Sequence, residues 1–100
     1  FELIKKRYKE AIPEHSPNFL EKQRYDVFIP ELNVAFEYQG IQHYKAVEYF
    51  GGKKGLAETK KRDERKRELS YENNVRIIYW EYFEPVNDVV LDIKLSEVLA

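Results

Sequence analysis

Asp26 and Glu37 are separated by ten residues in a stretch that otherwise reads as a β-hairpin. Tyr25, Val27 and Ile29 fall on one face of the first segment, with Asp26 and Phe28 on the other. In the second segment Val34, Phe36 and Tyr38 share a face, opposite Ala35, Glu37 and Gln39. A turn centred on Glu31-Leu32 sets residue 29 against 34, 27 against 36 and 25 against 38, and the same register sets Asp26 against Glu37. Facing carboxylates on a ladder have Cβ atoms only ~4.5–5.5 Å apart and repel. A divalent cation offsets that repulsion best, and hard oxygen donors of this kind suit Mg²⁺ together with water and phosphate oxygens. The alternatives are that one acid is protonated, or that it pairs with Lys66 or Arg24.

Three further positions carry candidate chemistry. His43 lies four residues past Gln39, ~13 Å along a straight strand, and approaches the carboxylates only if Gly40 bends the chain back. It reads either as a general base or phosphate contact, or as a partly buried structural histidine. Asp63 and Lys66 are three apart and share one helix face with Leu56 and Ser70, which turns that face towards the sheet. Tyr44, Tyr49 and Phe50 read as core or loop anchors more readily than as base-stacking contacts, and Gln42 carries less signal still. Zinc is disfavoured by the absence of Cys and by just two His, and Gly51-Gly52…Gly55 lacks the spacing of a phosphate-binding loop.

The elements that must position these residues follow from periodicity and punctuation. Phe1 to Ile12 has helical spacing and ends at Pro13, and residues 13–23 read as a loop. Arg24 to Pro30 and Asn33 to Gln39 read as strands, the second continuing through Ile41 to Tyr44 past a bulge. The three glycines make a flexible connection before a helix from Leu56 to Asn73. Val75 to Trp80 suits a strand buried on both faces, with Tyr79, Trp80, Tyr82 and Phe83 packing in or beside it. A final helix from about Val86 to Leu99 packs through Val89, Val90, Ile93, Val98 and Leu99. The expected order is αββαβα, an α/β sandwich with a mixed sheet flanked by helices.

Composition bounds the partners. The 100 residues carry 17 Lys+Arg and 18 Asp+Glu, a net charge of -1, which excludes an indiscriminate polybasic binder. The average hides segregation: residues 53–68 carry a net +4 and residues 81–100 a net -4. No apolar run reaches the ~20 residues of a membrane span. Residues 1–100 read as one domain, and the Phe1 start reads as a fragment of a larger, intracellular protein of the cytoplasm or nucleoid.

The ordered set RYDVFIPELNVAFEYQGIQHY, then FGG, then DERK on a helix, then VRIIY resembles the PD-(D/E)XK nuclease superfamily, in its very-short-patch-repair-like branch. The likeness covers roughly residues 24–80. It implies a restriction-endonuclease-like core and Mg²⁺-dependent hydrolysis of DNA, with Mn²⁺ as a substitute metal. It makes Asp26, Glu37 and the Tyr38 backbone carbonyl metal ligands. Gln39 stands where the superfamily usually has Lys; a neutral amide orients water or phosphate but supplies no positive charge. His43 and Lys66 become candidates for that missing role, and Lys60, Arg62, Lys66 and Arg67 candidates for holding phosphates, with Lys61 and Arg65 beside them. The pattern does not choose between DNA and RNA, or between nicking and a homodimer that cuts both strands, and a specificity domain is expected outside these residues. Two rival readings stand beside it: a degenerate nuclease fold that binds without cutting, and a protein-interaction domain.

Overall fold

The computed structural model describes residues 1–45 and 51–99, apart from the side chain of Gln42. Tyr49 and Phe50 therefore lie outside the described residues. The elements are α1 (Glu2–Arg7), β1 (Ile12–His15), β2 (Tyr25–Ile29), β3 (Val34–Gln39), α2 (Gly52–Glu72), β4 (Arg76–Glu81) and α3 (Asp88–Leu99), with short 3₁₀ turns at Asn18–Leu20 and Ile41–His43. They build a mixed α/β fold around one four-stranded sheet in the order β1-β2-β3-β4. The first two pairings are antiparallel and β3–β4 is parallel, as the long α2 crossover requires.

The hairpin register is as expected over its outer half. Ile29 pairs with Val34, Phe28 with Ala35 and Val27 with Phe36. Asn33 closes the turn at φ 53°, a left-handed conformation that Asn tolerates better than most side chains. On one face Val27, Ile29, Val34, Phe36, Ile78 and Trp80 pack against Ile4 of α1 and Leu91 and Leu95 of α3. On the other, Tyr25, Ala35 and Val75 pack with Leu20 and with Leu69 of α2.

Several expectations are corrected. The order is αβββαβα, because residues 12–15 form an edge strand where a loop was expected. Pro13 lacks a donor, but an edge strand can leave one side of its ladder unpaired, so it is tolerated there. The first helix accordingly stops at Arg7, not Ile12. Ile41–His43 turns as a 3₁₀ helix and does not extend β3. The glycines are no loose connection: α2 begins at Gly52, Gly55 lies inside it, and Gly51 at φ 91° supplies the left-handed entry. A Cβ on Gly51 would stand 3.3 Å from the Gly55 Cα, so the helix start also requires close approach.

In α3 the buried positions are Leu91 and Leu95, with Val90 and Val98 partly buried; Val89, Ile93 and Leu99 are exposed. The helix is apolar on too many sides for its sequence to fix the phase. Its start is fixed by Asn87, whose Oδ1 accepts the Val90 N–H at 2.9 Å. Of the four aromatics assigned to packing, Trp80 is buried and Tyr79 half-buried, whereas Tyr82 and Phe83 are exposed. No described helix is long and apolar enough to cross a membrane.

Candidate active site

The hairpin comes apart at its two carboxylates. Paired residues end at Val27 and Phe36, and from there side chains replace the ladder. The Asp26 N–H donates to Glu37 Oε2 at 2.8 Å, and the Tyr38 N–H donates to Asp26 Oδ2 at 2.8 Å. Each acid thus accepts a main-chain hydrogen from the opposite strand, and this reciprocal exchange holds two like charges close together.

The exchange also breaks the strand alternation. Tyr25 was expected on the same face as Val27, opposite Tyr38. It lies instead on the α2 face, stacked on Phe28 with ring centroids 5.9 Å apart, its hydroxyl 2.5 Å from Ser70 Oγ. Tyr38 is 56% exposed. With the ladder released at Asp26, the chain is free to turn its next side chain under α2.

Helix α2 lays one stripe across the opening. Gly55, Glu58, Thr59, Arg62, Asp63 and Lys66 recur at helical spacing and line a cleft of about 880 Å³. Asp26, Glu37, Tyr38, Gln39 and His43 line the same cleft. All five residues with candidate catalytic roles are therefore brought together. The 3₁₀ turn is what delivers His43: it folds the chain back after Gly40, which removes the separation a straight strand would impose.

Lys66 does not pair with Asp63. Its ammonium donates to Glu37 Oε1 and to the Arg24 carbonyl, the latter at 2.7 Å. The expected alternative of a Lys66 ion pair is present, made with Glu37. Asp63 instead holds His43, with Oδ2 2.6 Å from Nδ1. Glu37 is only 9% exposed and Lys66 15%, so this is a nearly dry ion pair. Burial pushes the Glu37 carboxyl above its ordinary value, and the Asp26 charge adds to that push. The Lys66 ammonium and the Asp26 N–H pull the other way without cancelling it.

The basic residues divide by position. Arg62 is exposed and lines the main cleft, with Nη2 3.4 Å from Thr59 Oγ1. Lys60 and Arg67 line a smaller cleft of about 430 Å³ that shares Gln39, His43 and Asp63 as a common wall. Arg67 lies over the Tyr79 ring, 5.9 Å from its centroid. Arg65 faces away, bonded to Glu21. Tyr44 is exposed and donates its hydroxyl to Glu81, and its pKa is pushed up to about 12 by burial of the hydroxyl and by that carboxylate.

Sequence reasoning gave no separate role to Asp63, Thr59 or Glu81. The spacing from Thr59 to Asp63 to Lys66 was the available signal for the first two; Glu81 carried none. Among the described residues, no group of three or more His, Asp or Glu side chains gathers into a metal cage.

No protein-family model matches the chain, and no solved structure does. It is similar to the uncharacterized protein 307L of Invertebrate iridescent virus 6, with 39% identity over 54 residues. That match takes in 53% of this chain and 27% of the viral protein, so this chain spans well under half of that relative's length.

Proposed function

We propose that this chain is a Mg²⁺-dependent DNA endonuclease domain with a PD-(D/E)XK core of the very-short-patch-repair-like branch. The observation that carries the reading is the convergence of Asp26, Glu37, Gln39, His43 and Lys66 on one cleft, where β2 and β3 part. Asp26 and Glu37, with the Tyr38 carbonyl, are an all-oxygen donor set of the kind Mg²⁺ takes. The buried Glu37 carboxylate fits such an ion because it already requires a cation beside it, and Lys66 now supplies one.

When bound, Mg²⁺ or Mn²⁺ supplies Lewis acidity that acidifies water and neutralises phosphoryl charge. The protein's own groups do the positioning. The Gln39 amide orients water or a phosphate oxygen, the Lys66 ammonium meets the scissile phosphate, and His43 accepts a proton. Lys60, Arg62 and Arg67 hold flanking phosphates, which gives affinity without sequence choice. Target choice, and cutting of a second strand, fall to a further domain or a second copy.

A second reading has one observation in its favour. Lys66 already places an ammonium on Glu37 without a metal, and with Gln39 in the usual Lys position the site suits a module that binds nucleic acid without cutting it. Incubation of the purified chain with supercoiled plasmid and Mg²⁺ or Mn²⁺ separates the two. The endonuclease reading expects nicked circles from the wild type and a loss of more than about a hundredfold in Asp26→Ala and Glu37→Ala. Cleavage that survives both substitutions overturns it. Salt-sensitive DNA binding with no cleavage selects the second reading.

A further inference from the structure

The main cleft has a second wall that the reaction above does not use. It is lined by Ile4, Val27, Phe36 and Trp80, from the core on the α1 and α3 side of the sheet, and by exposed Val86. Because the ladder ends at Val27 and Phe36, the opening reaches both faces of the sheet at once. Tyr38 stands at the join. It pairs with Trp80 in parallel register, so its ring lies on the Trp80 side, 56% exposed, while Glu37 one residue back turns to Lys66 on the other. The Trp80 Nε1–H is taken up by the Pro85 carbonyl at 3.2 Å, so what this wall offers is apolar surface. Gln23 also lines the cleft and brings an amide that donates and accepts.

At ~30 Å³ for each water-sized group, a cation with its waters and one phosphate leaves most of the 880 Å³ or so unfilled. A ligand for the remainder must be flat and largely apolar, with polar atoms at its rim. It must also be joined closely to the phosphate, because Glu37 and Tyr38 are successive residues, ~3.3 Å apart along the strand. A nucleobase meets each requirement. We propose that the apolar half of the cleft takes one unpaired nucleobase, stacked on Tyr38 beside the phosphate held at Asp26 and Glu37, so that the substrate is single-stranded or locally unpaired DNA. The inference rests on the endonuclease reading for the place of that phosphate. A base inside a duplex enters a recess only by leaving the stack, a cost that is least where it is already unpaired. Every base has a π-face, so this half of the cleft selects for an unpaired nucleotide and not for a sequence.

Binding by the intact chain in EDTA, where no strand is cut, tests this. Fluorescence anisotropy compares a labelled oligothymidylate with an abasic strand of the same length, which keeps the phosphates and lacks the bases. The wild type is expected to bind the oligothymidylate about tenfold or more tightly than the abasic strand. Tyr38→Ala is expected to bring that ratio to about one, and Tyr38→Phe, which keeps the ring, to retain it. A duplex with one bulged thymine is expected to bind more tightly than its fully paired counterpart, and Tyr38→Ala to erase that difference too. Unfolding midpoints establish that the variants are folded. A wild-type ratio near one, a preference that survives Tyr38→Ala, or a bulged duplex bound no better than a paired one overturns the proposal. A wild type that binds both strands alike removes this inference and leaves the endonuclease reading standing; one that binds neither strand nor duplex removes both.

Discussion

Two lysine–glutamate pairs clamp a helix to the sheet, one on each face. On the α2 face Lys66 reaches Glu37; on the α3 face Lys94 reaches Glu84 at 2.8 Å and the Tyr79 carbonyl at 2.8 Å, beside the Trp80 ring. The pairs are alike in chemistry and opposite in consequence. Glu84 has its pKa lowered, chiefly by its bond to Lys94 and then by the Glu81 N–H. Glu37 has its pKa raised, because burial outweighs the same kind of bond. The α3 pair is a satisfied strut. In the α2 pair one ammonium does not fully compensate a carboxylate held in a dry cleft with a second acid beside it. That residual demand for positive charge marks the site off from the strut.

The largest contrast should be in activity. Glu37→Ala is expected to abolish plasmid nicking while Glu84→Ala cuts at the wild-type rate once folded; equal loss in both would erase the distinction. Stability comes next. Lys66→Met strands the buried Glu37 charge and is expected to cost about 3 kcal/mol in urea denaturation. Lys94→Met leaves Glu84 partly open to water and should cost about 1 kcal/mol. Added Mn²⁺ is expected to raise the unfolding midpoint of Lys66→Met more than that of the wild type, because the ion no longer competes with the ammonium for Glu37.

The smallest effect is in pH dependence, and its sign differs between the pairs. Folded Glu37 keeps its proton above the ordinary value of 4.5, so the folded state binds more protons there. Its contribution to stability therefore falls as pH rises through the window from 4.5 to the raised value. Folded Glu84 gives up its proton more easily, so its contribution is present above 4.5 and fades as pH falls through the lowered value. Urea midpoints measured across acid pH should show Glu37→Gln and Glu84→Gln shifting the profile in opposite directions. Parallel shifts would mean that both glutamates are simple struts.

Much of this was legible in the residues. Alternation gave both central strands and the outer hairpin register, because Val27, Ile29, Val34 and Phe36 must share one buried face. Helix α2 was legible from its helix formers, and β4 as a strand from its apolar run. But β4 buries only the face of Ile78 and Trp80 and leaves Ile77 and Tyr79 half-buried, not both faces as expected. The facing of Asp26 and Glu37 was legible too, but how they are accommodated was not. A strand pattern assumes a continuous ladder, and here backbone N–H groups leave the ladder to meet carboxylates. Tyr25 was misplaced for that reason alone. A Lys66 pair with one of the two acids stood among the alternatives beside an i,i+3 pair with Asp63, and tertiary packing decides between them by sending Lys66 to the drier acid. The edge strand at Ile12–His15 was hidden by Pro13, which argues against a strand only where both edges are paired.

The central claim is that Asp26 and Glu37 together take a divalent cation. Titrating Mn²⁺ into the isotopically labelled chain while following backbone amide signals tests it directly, since the Asp26 and Tyr38 amides donate to those two carboxylates. The account predicts that these two amides broaden first, and that Asp26→Asn with Glu37→Gln abolishes the effect. Broadening confined to the acidic surface of α3 at Asp88 and Asp92, or none at all, would contradict it.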